Sequence, residues 1–70
     1  MNSLPATDSA EQFFTLLGVR EDGVASIVDL VAADDVAMAR DRAEALLREH
    51  QSCRSVEVWR DGAMVVELSR

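Results

Sequence analysis

The chain has 70 residues, a net charge of −6 and a sequence pI near 4.5. That length allows one small domain, in which a smaller share of the surface is buried than in a larger fold. All seven basic residues are dispersed arginines, which excludes the basic patch of a nucleic-acid binder.

The supports that small folds commonly use are also restricted. Cys53 is the single cysteine, so no internal disulfide can form, and a lone thiol fits a reducing compartment. His50 is the single histidine and belongs to no Cys/His cluster, so no metal and no cofactor is expected. Oligomerisation, a partner or an unusually good core remain.

Met1 to Gln12, "MNSLPATDSAEQ", is small and polar, holds the only proline, and reads as a flexible N-terminal segment ahead of a single domain over 13–70. It has neither a basic n-region nor an apolar h-region, and no apolar run reaches membrane-spanning length, so a cytoplasmic protein without membrane contact is expected. "FFTLLGV", Phe13 to Val19, allows two readings. Asp8 with Glu11 imitates a capping box and Gly18 could end a helix. The run is nevertheless short, aromatic-led and followed by the turn signal "REDG", which favours a strand. "VASIVDLVA", Val24 to Ala32, is rich in β-branched residues and forms the second strand, paired with the first around a loop at Glu21-Asp22-Gly23.

The period then changes. Asp34 or Asp35 can cap a helix, and Val36, Ala39, Ala43, Leu46 and Leu47 fall on one stripe at helical spacing. Asp41, Glu44, Arg48 and Glu49 lie off that stripe, with Glu44 and Arg48 placed for an i,i+4 pair. The last stretch, "VEVWRDGAMVVEL", is a second hairpin. A two-residue Asp61-Gly62 turn would set Val56 opposite Glu67 and mix the faces. A three-residue loop over Arg60-Asp61-Gly62 keeps Val56, Val58, Met64, Val66 and Leu68 together, and is expected for that reason.

The fold class is therefore α+β, ββαββ, with one helix packed on a four-stranded, mainly antiparallel sheet; if the third strand pairs beside the first, the order is 2-1-3-4. By the same pairing logic Phe14, Leu16, Val28 and Leu30 share one face. Phe13, Leu17, Val19, Ile27, Val31, Trp59 and Val65 share the other. A helix about 10 Å wide cannot cover both sides of a sheet about twice that width. The second set is the expected interaction surface, covered most economically by another copy of the chain, as a homodimer, or by another protein.

Chemistry is poorly provided for. His50 and Cys53 sit three apart across a helix end with no oxyanion hole in view, and the dipole and burial account for them. Asp34-Asp35 lacks further oxygen ligands for a metal, and the glycines fall in or near turns rather than in a phosphate-binding loop. No catalytic residues are expected, and the protein is not read as an enzyme.

"DLVAADDVAMARDRAEALL" followed by "SVEVWRDGAMVVEL" resembles a group of short alphaproteobacterial ββαββ proteins. Their pattern is an aromatic-led strand, a strand ending before an acidic pair, an alanine-rich helix and a Val-Glu-x-Trp strand. The resemblance covers most of the chain after Gln12, supports the strand at Phe13 and implies no activity, since that group has none assigned. The chain departs from the pattern in its first strand, "FFTLLGV", and in a helix that runs on through Arg48-Glu49-His50.

Two functions follow as expectations. One is a small non-enzymatic interaction or regulatory module that self-associates around Trp59. The other is an acidic inhibitor or nucleic-acid mimic of the anti-defence type, presenting Glu21, Asp22, Asp34, Asp35, Asp41, Glu44 and Glu49 to a basic site on a partner, with binding that salt would weaken.

Overall fold

The computed structural model describes residues 13–70. The expectation of a flexible segment over 1–12 concerns residues outside those described. Five elements follow in chain order: β1 (Phe13–Arg20), β2 (Ala25–Ala32), α1 (Val36–Glu49), β3 (Cys53–Arg60) and β4 (Ala63–Ser69). The sheet is fully antiparallel in the order β2-β1-β3-β4, with α1 packed across one side, most extensively on β3 and least on β2. The expected fold class and strand order are those observed.

Phe13–Arg20 is a strand at the centre of the sheet rather than a helix. Its alternate residues Phe14 and Leu16 are buried under α1 together with Val56 and Val58 of β3. Gly18 takes the next position on that side, and its lack of a side chain is required. A Cβ there would lie 2.8 Å from the Sγ of buried Cys53 and 3.1 Å from the Cβ of Ile27. At the other end of the core the guanidinium of Arg60 lies 5.5 Å from the centre of the Phe14 ring, within cation–π range.

Helix α1 starts at Asp35, whose carboxylate accepts a hydrogen bond from the Met38 amide at 3.2 Å. Ala39, Ala43 and Leu46 are buried, and Leu47 packs against the same core. The small alanines let the helix axis approach the sheet closely. Val36, expected on the stripe, is 41% exposed in the first turn. The ion pair that forms is not Glu44 with Arg48 but Arg42 Nε with Asp29 Oδ2 of β2, at 3.0 Å. The helix ends at His50, whose amide donates to the Leu46 carbonyl at 3.0 Å. Beyond it Arg70 donates to three carbonyls, those of Leu47, His50 and Cys53, so a cation closes the helix C-terminus.

Both hairpins carry a one-residue register shift. The β1–β2 loop is the expected one: Arg20 N–H donates to the Val24 carbonyl and Gly23 N–H to the Arg20 carbonyl, each at 2.9 Å, with Gly23 at φ 89°. Between Gly18 and Val19 the ladder then skips Ser26, so Val19 pairs with Ala25 but Gly18 with Ile27. This corrects the expected faces of β2. Ile27 and Val31 lie on the helix side against the core, and Val28 and Leu30 lie on the open side. The reason is that Asp29, between them, takes the helix side to meet Arg42, while Ile27 closes over Gly18.

The second turn is also corrected. It has two residues, Asp61 at φ 55° and Gly62 at φ 80°, and joins Arg60 to Ala63. Two consecutive positive φ values match the right-handed twist of the flanking strands. The mixing of faces is avoided by a bulge further along. Trp59 pairs with Met64, Val58 with Val66 and Val56 with Leu68, so Val65 is the extra residue. Val66 and Leu68 return to the helix side as expected, whereas Met64 joins Trp59 on the open side.

Candidate interaction face

The open side of the sheet can be set out from the ladder. Residues directly opposite in an antiparallel pair share a face, and alternation along each strand carries that face forward. Across the sheet from β2 to β4, one row reads Leu30, Thr15, Trp59, Met64, and the next Val28, Leu17, Glu57, Glu67. Flanking rows hold Ala32 with Phe13 at one end, and Ala25, Val19, Ser55 and Ser69 at the other. Val65 stands at the bulge beside Met64 and Trp59.

Of the residues expected on this face, Phe13, Leu17, Val19, Trp59 and Val65 are there. Ile27 and Val31 are not, and Val28, Leu30 and Met64 take their place. The replacements are prominent: Val28 is 69% exposed, Leu30 63%, and Phe13 and Met64 47% each. Leu17, Val19 and Trp59 are half-buried among their neighbours. The signal that could have located Val28 and Leu30 is Asp29. A lone carboxylate in an apolar strand goes where a cation can meet it, and Arg42 flanks the buried stripe of the helix.

The ionisable part of the face is confined to one corner. Glu57 and Glu67 are direct cross-strand neighbours, an arrangement that like charges disfavour. Glu57 Oε1 accepts a hydrogen bond from Trp59 Nε1 at 2.9 Å, which orients the indole across its own strand and satisfies its donor. Ser55 and Ser69 complete this corner.

The other residues considered for function are dispersed. Glu21 and Asp22 sit in the β1–β2 loop, where Asp22 pairs with Arg20 at 2.9 Å and accepts from the Val24 amide. Asp34 and Asp35 lie at the opposite end of the strands, where Asp35 is the helix cap. Asp41, Glu44 and Glu49 are spaced along α1. Between the sheet and the helix end, a 360 Å³ cleft is lined by Glu21, Gln51, Ser52, Cys53, Arg54 and Arg70. His50 and Cys53 meet only through backbone at the helix end, Cys53 N–H donating to the His50 carbonyl at 3.0 Å, while the thiol is buried against Gly18. Among the described residues no group of three or more His, Cys, Asp or Glu side chains is placed to hold a metal ion, and no helix is long and apolar enough to cross a membrane.

No family model, no curated protein and no solved structure matches the chain.

Proposed function

We propose that the chain is a small, non-enzymatic protein–protein interaction module that associates with itself through the open face of its sheet. One observation carries this reading: the open side of a four-stranded sheet bears a continuous apolar surface around Trp59, with Phe13, Val28, Leu30 and Met64 about half or more exposed. Scattered exposed apolar residues are ordinary, but a contiguous patch marks a contact surface. The indole is suited to such a surface, because its donor is already satisfied by Glu57 and its rings are left to pack. A reducing, cytoplasmic setting suits the free buried thiol of Cys53.

The test is absolute mass in solution by light scattering over a range of concentrations, on wild type and Trp59→Glu together. The expected result is a wild-type mass that rises toward twice the monomer, and a folded mutant that stays monomeric. A wild type that is monomeric at every concentration rejects self-association.

A further inference from the structure

We infer that a second copy of the chain sits on the β1–β2 half of the open face, related by a two-fold axis that runs parallel to the strands between β1 and β2. This rests on the self-association reading above and specifies it. Three observations lead to it.

Charge comes first. On a chain of net charge −6, the open side of β1 and β2 carries no ionisable side chain from end to end. The β3–β4 half holds Glu57 opposite Glu67, with no arginine on the same face to offset them. Two acidic chains can meet on the first half without opposing charges, whereas the second half would bury carboxylates without partners.

Shape gives the axis. Across the two strands, large and small side chains alternate: Phe13 stands beside Ala32, Leu30 beside Thr15, and Leu17 beside Val28 of similar bulk. A two-fold axis along the strands keeps each row in place and exchanges the two columns. Phe13 then faces Ala32 of the second copy, Leu30 faces Thr15, and Leu17 faces Val28. Side chains interdigitate in this way when two sheets pack face to face at the angle that their twist imposes. An axis across the strands midway between these rows would instead reverse them and lay Glu57 on Trp59 of the second copy. With the axis between β1 and β2, Trp59 overhangs the edge of the neighbouring β2 and Glu57 with Glu67 stays at the wet rim.

The sheet edges supply the third observation. β2 carries Asp29 in its middle, turned to the helix side and held by Arg42, and β4 is bulged at Val65 with Glu67 two residues on. Inward charges and bulges are what discourage strand-to-strand addition. Face-to-face contact remains, and because it is isologous it closes at two copies. Two strands of this length cover about 10 by 26 Å, or roughly 500 Å² summed over both copies, a size that belongs to the weakest, concentration-dependent association.

The experiment measures dimerisation by sedimentation equilibrium for wild type, Val28→Glu and Val65→Glu, with circular dichroism to confirm folding. Val28→Glu should raise the dissociation constant about a hundredfold, because it buries an unpaired carboxylate, and Val65→Glu should change it less than about threefold. Loss of association in both variants, or in Val65→Glu alone, overturns the placement while leaving self-association intact. A wild type that never associates overturns the underlying reading instead. Should Val28→Glu fail to fold, a swap decides. Leu30→Thr and Thr15→Leu should each weaken the dimer, the first by leaving a hole and the second by crowding, and the double variant should restore it. A double variant no better than the singles overturns the axis.

Discussion

The two hairpins of this sheet solve the same problem in different ways. Hairpin β1–β2 turns through three residues with Gly23 in the left-handed region, and hairpin β3–β4 through two with Asp61 and Gly62 both at positive φ. Each then inserts one unpaired residue, Ser26 in the first and Val65 in the second. The consequences are opposite. In β4 the shift returns Val66 and Leu68 to the helix and leaves Glu67 in water. In β2 it carries Ile27, Asp29 and Val31 to the helix and sends Val28 and Leu30 out.

The difference shows that a turn does not settle a face when both sides of a strand are apolar. Side chains alternate with period two, so a single extra residue exchanges the whole set. What settles it is what waits on each side. For β4 the helix side takes the apolar Val66 and Leu68 into the core, so Glu67 between them stays out. For β2 the helix side offers Arg42 to Asp29 and a space beside Gly18 that Ile27 fills. The outcome leaves the most exposed apolar pair of the sheet, Val28 and Leu30, on the strand that the helix covers least.

The largest expected effect concerns the residue at the register shift of the first hairpin. Gly18→Val places atoms where Cys53 Sγ and Ile27 already lie and should cost about 3 kcal/mol in urea unfolding, at the upper end for overpacking. Cys53→Ala in the same chain should recover part of that loss. If it recovers nothing, the close approach is not what holds the first hairpin in register.

Next comes the face of β2 itself. Ile27→Ala should lower stability by about 2 kcal/mol, because it opens a partly buried core position, while Val28→Ala in dilute monomer should stay within about 0.5 kcal/mol. The reverse order would turn β2 over and remove the contrast between the hairpins. A smaller effect sharpens the contrast from the other side. Gly23→Ala and Gly62→Ala each force a Cβ into the left-handed region and should each cost about 1 kcal/mol. Similar values would show that the turns are equivalent in energy and that the difference between the hairpins lies in what their strands meet.

The smallest expected effect is that of Asp29→Asn. The Arg42–Asp29 pair is partly exposed, so its loss should cost no more than about 1 kcal/mol and less in high salt. Its value as a test is directional. Asp29 is argued to select a face rather than to supply stability, so amide exchange in the variant should show β2 loosened while β3–β4 stays protected. Uniform loosening of the sheet would count against that role.

Much of the architecture could be read from the residues in order. The change of period after Ala32, the aspartate pair before the helix, the small apolar stripe at Ala39, Ala43 and Leu46, and the turn residues Gly23 and Gly62 are local signals, each complete within a few positions. They were sufficient for ββαββ, whereas the order β2-β1-β3-β4 rests on the pairing of β3 beside β1, which no local signal fixes. They also placed Phe13, Leu17, Val19 and Trp59 on the open face, because alternation along the central strands β1 and β3 sets them opposite the buried residues, while Val65 is there through the bulge rather than through the expected loop. The face of β2 and the position of Met64 lay beyond such signals. Ile27 with Val31 and Val28 with Leu30 are equally apolar, so hydrophobic pattern carries no preference between them. The preference comes from groups far apart in the chain: Arg42 on the helix for Asp29, and Cys53 on β3, which leaves room at Gly18 for Ile27 but none for a side chain of its own. Burial and charge pairing act through space, and only the folded chain brings those groups within reach of one another.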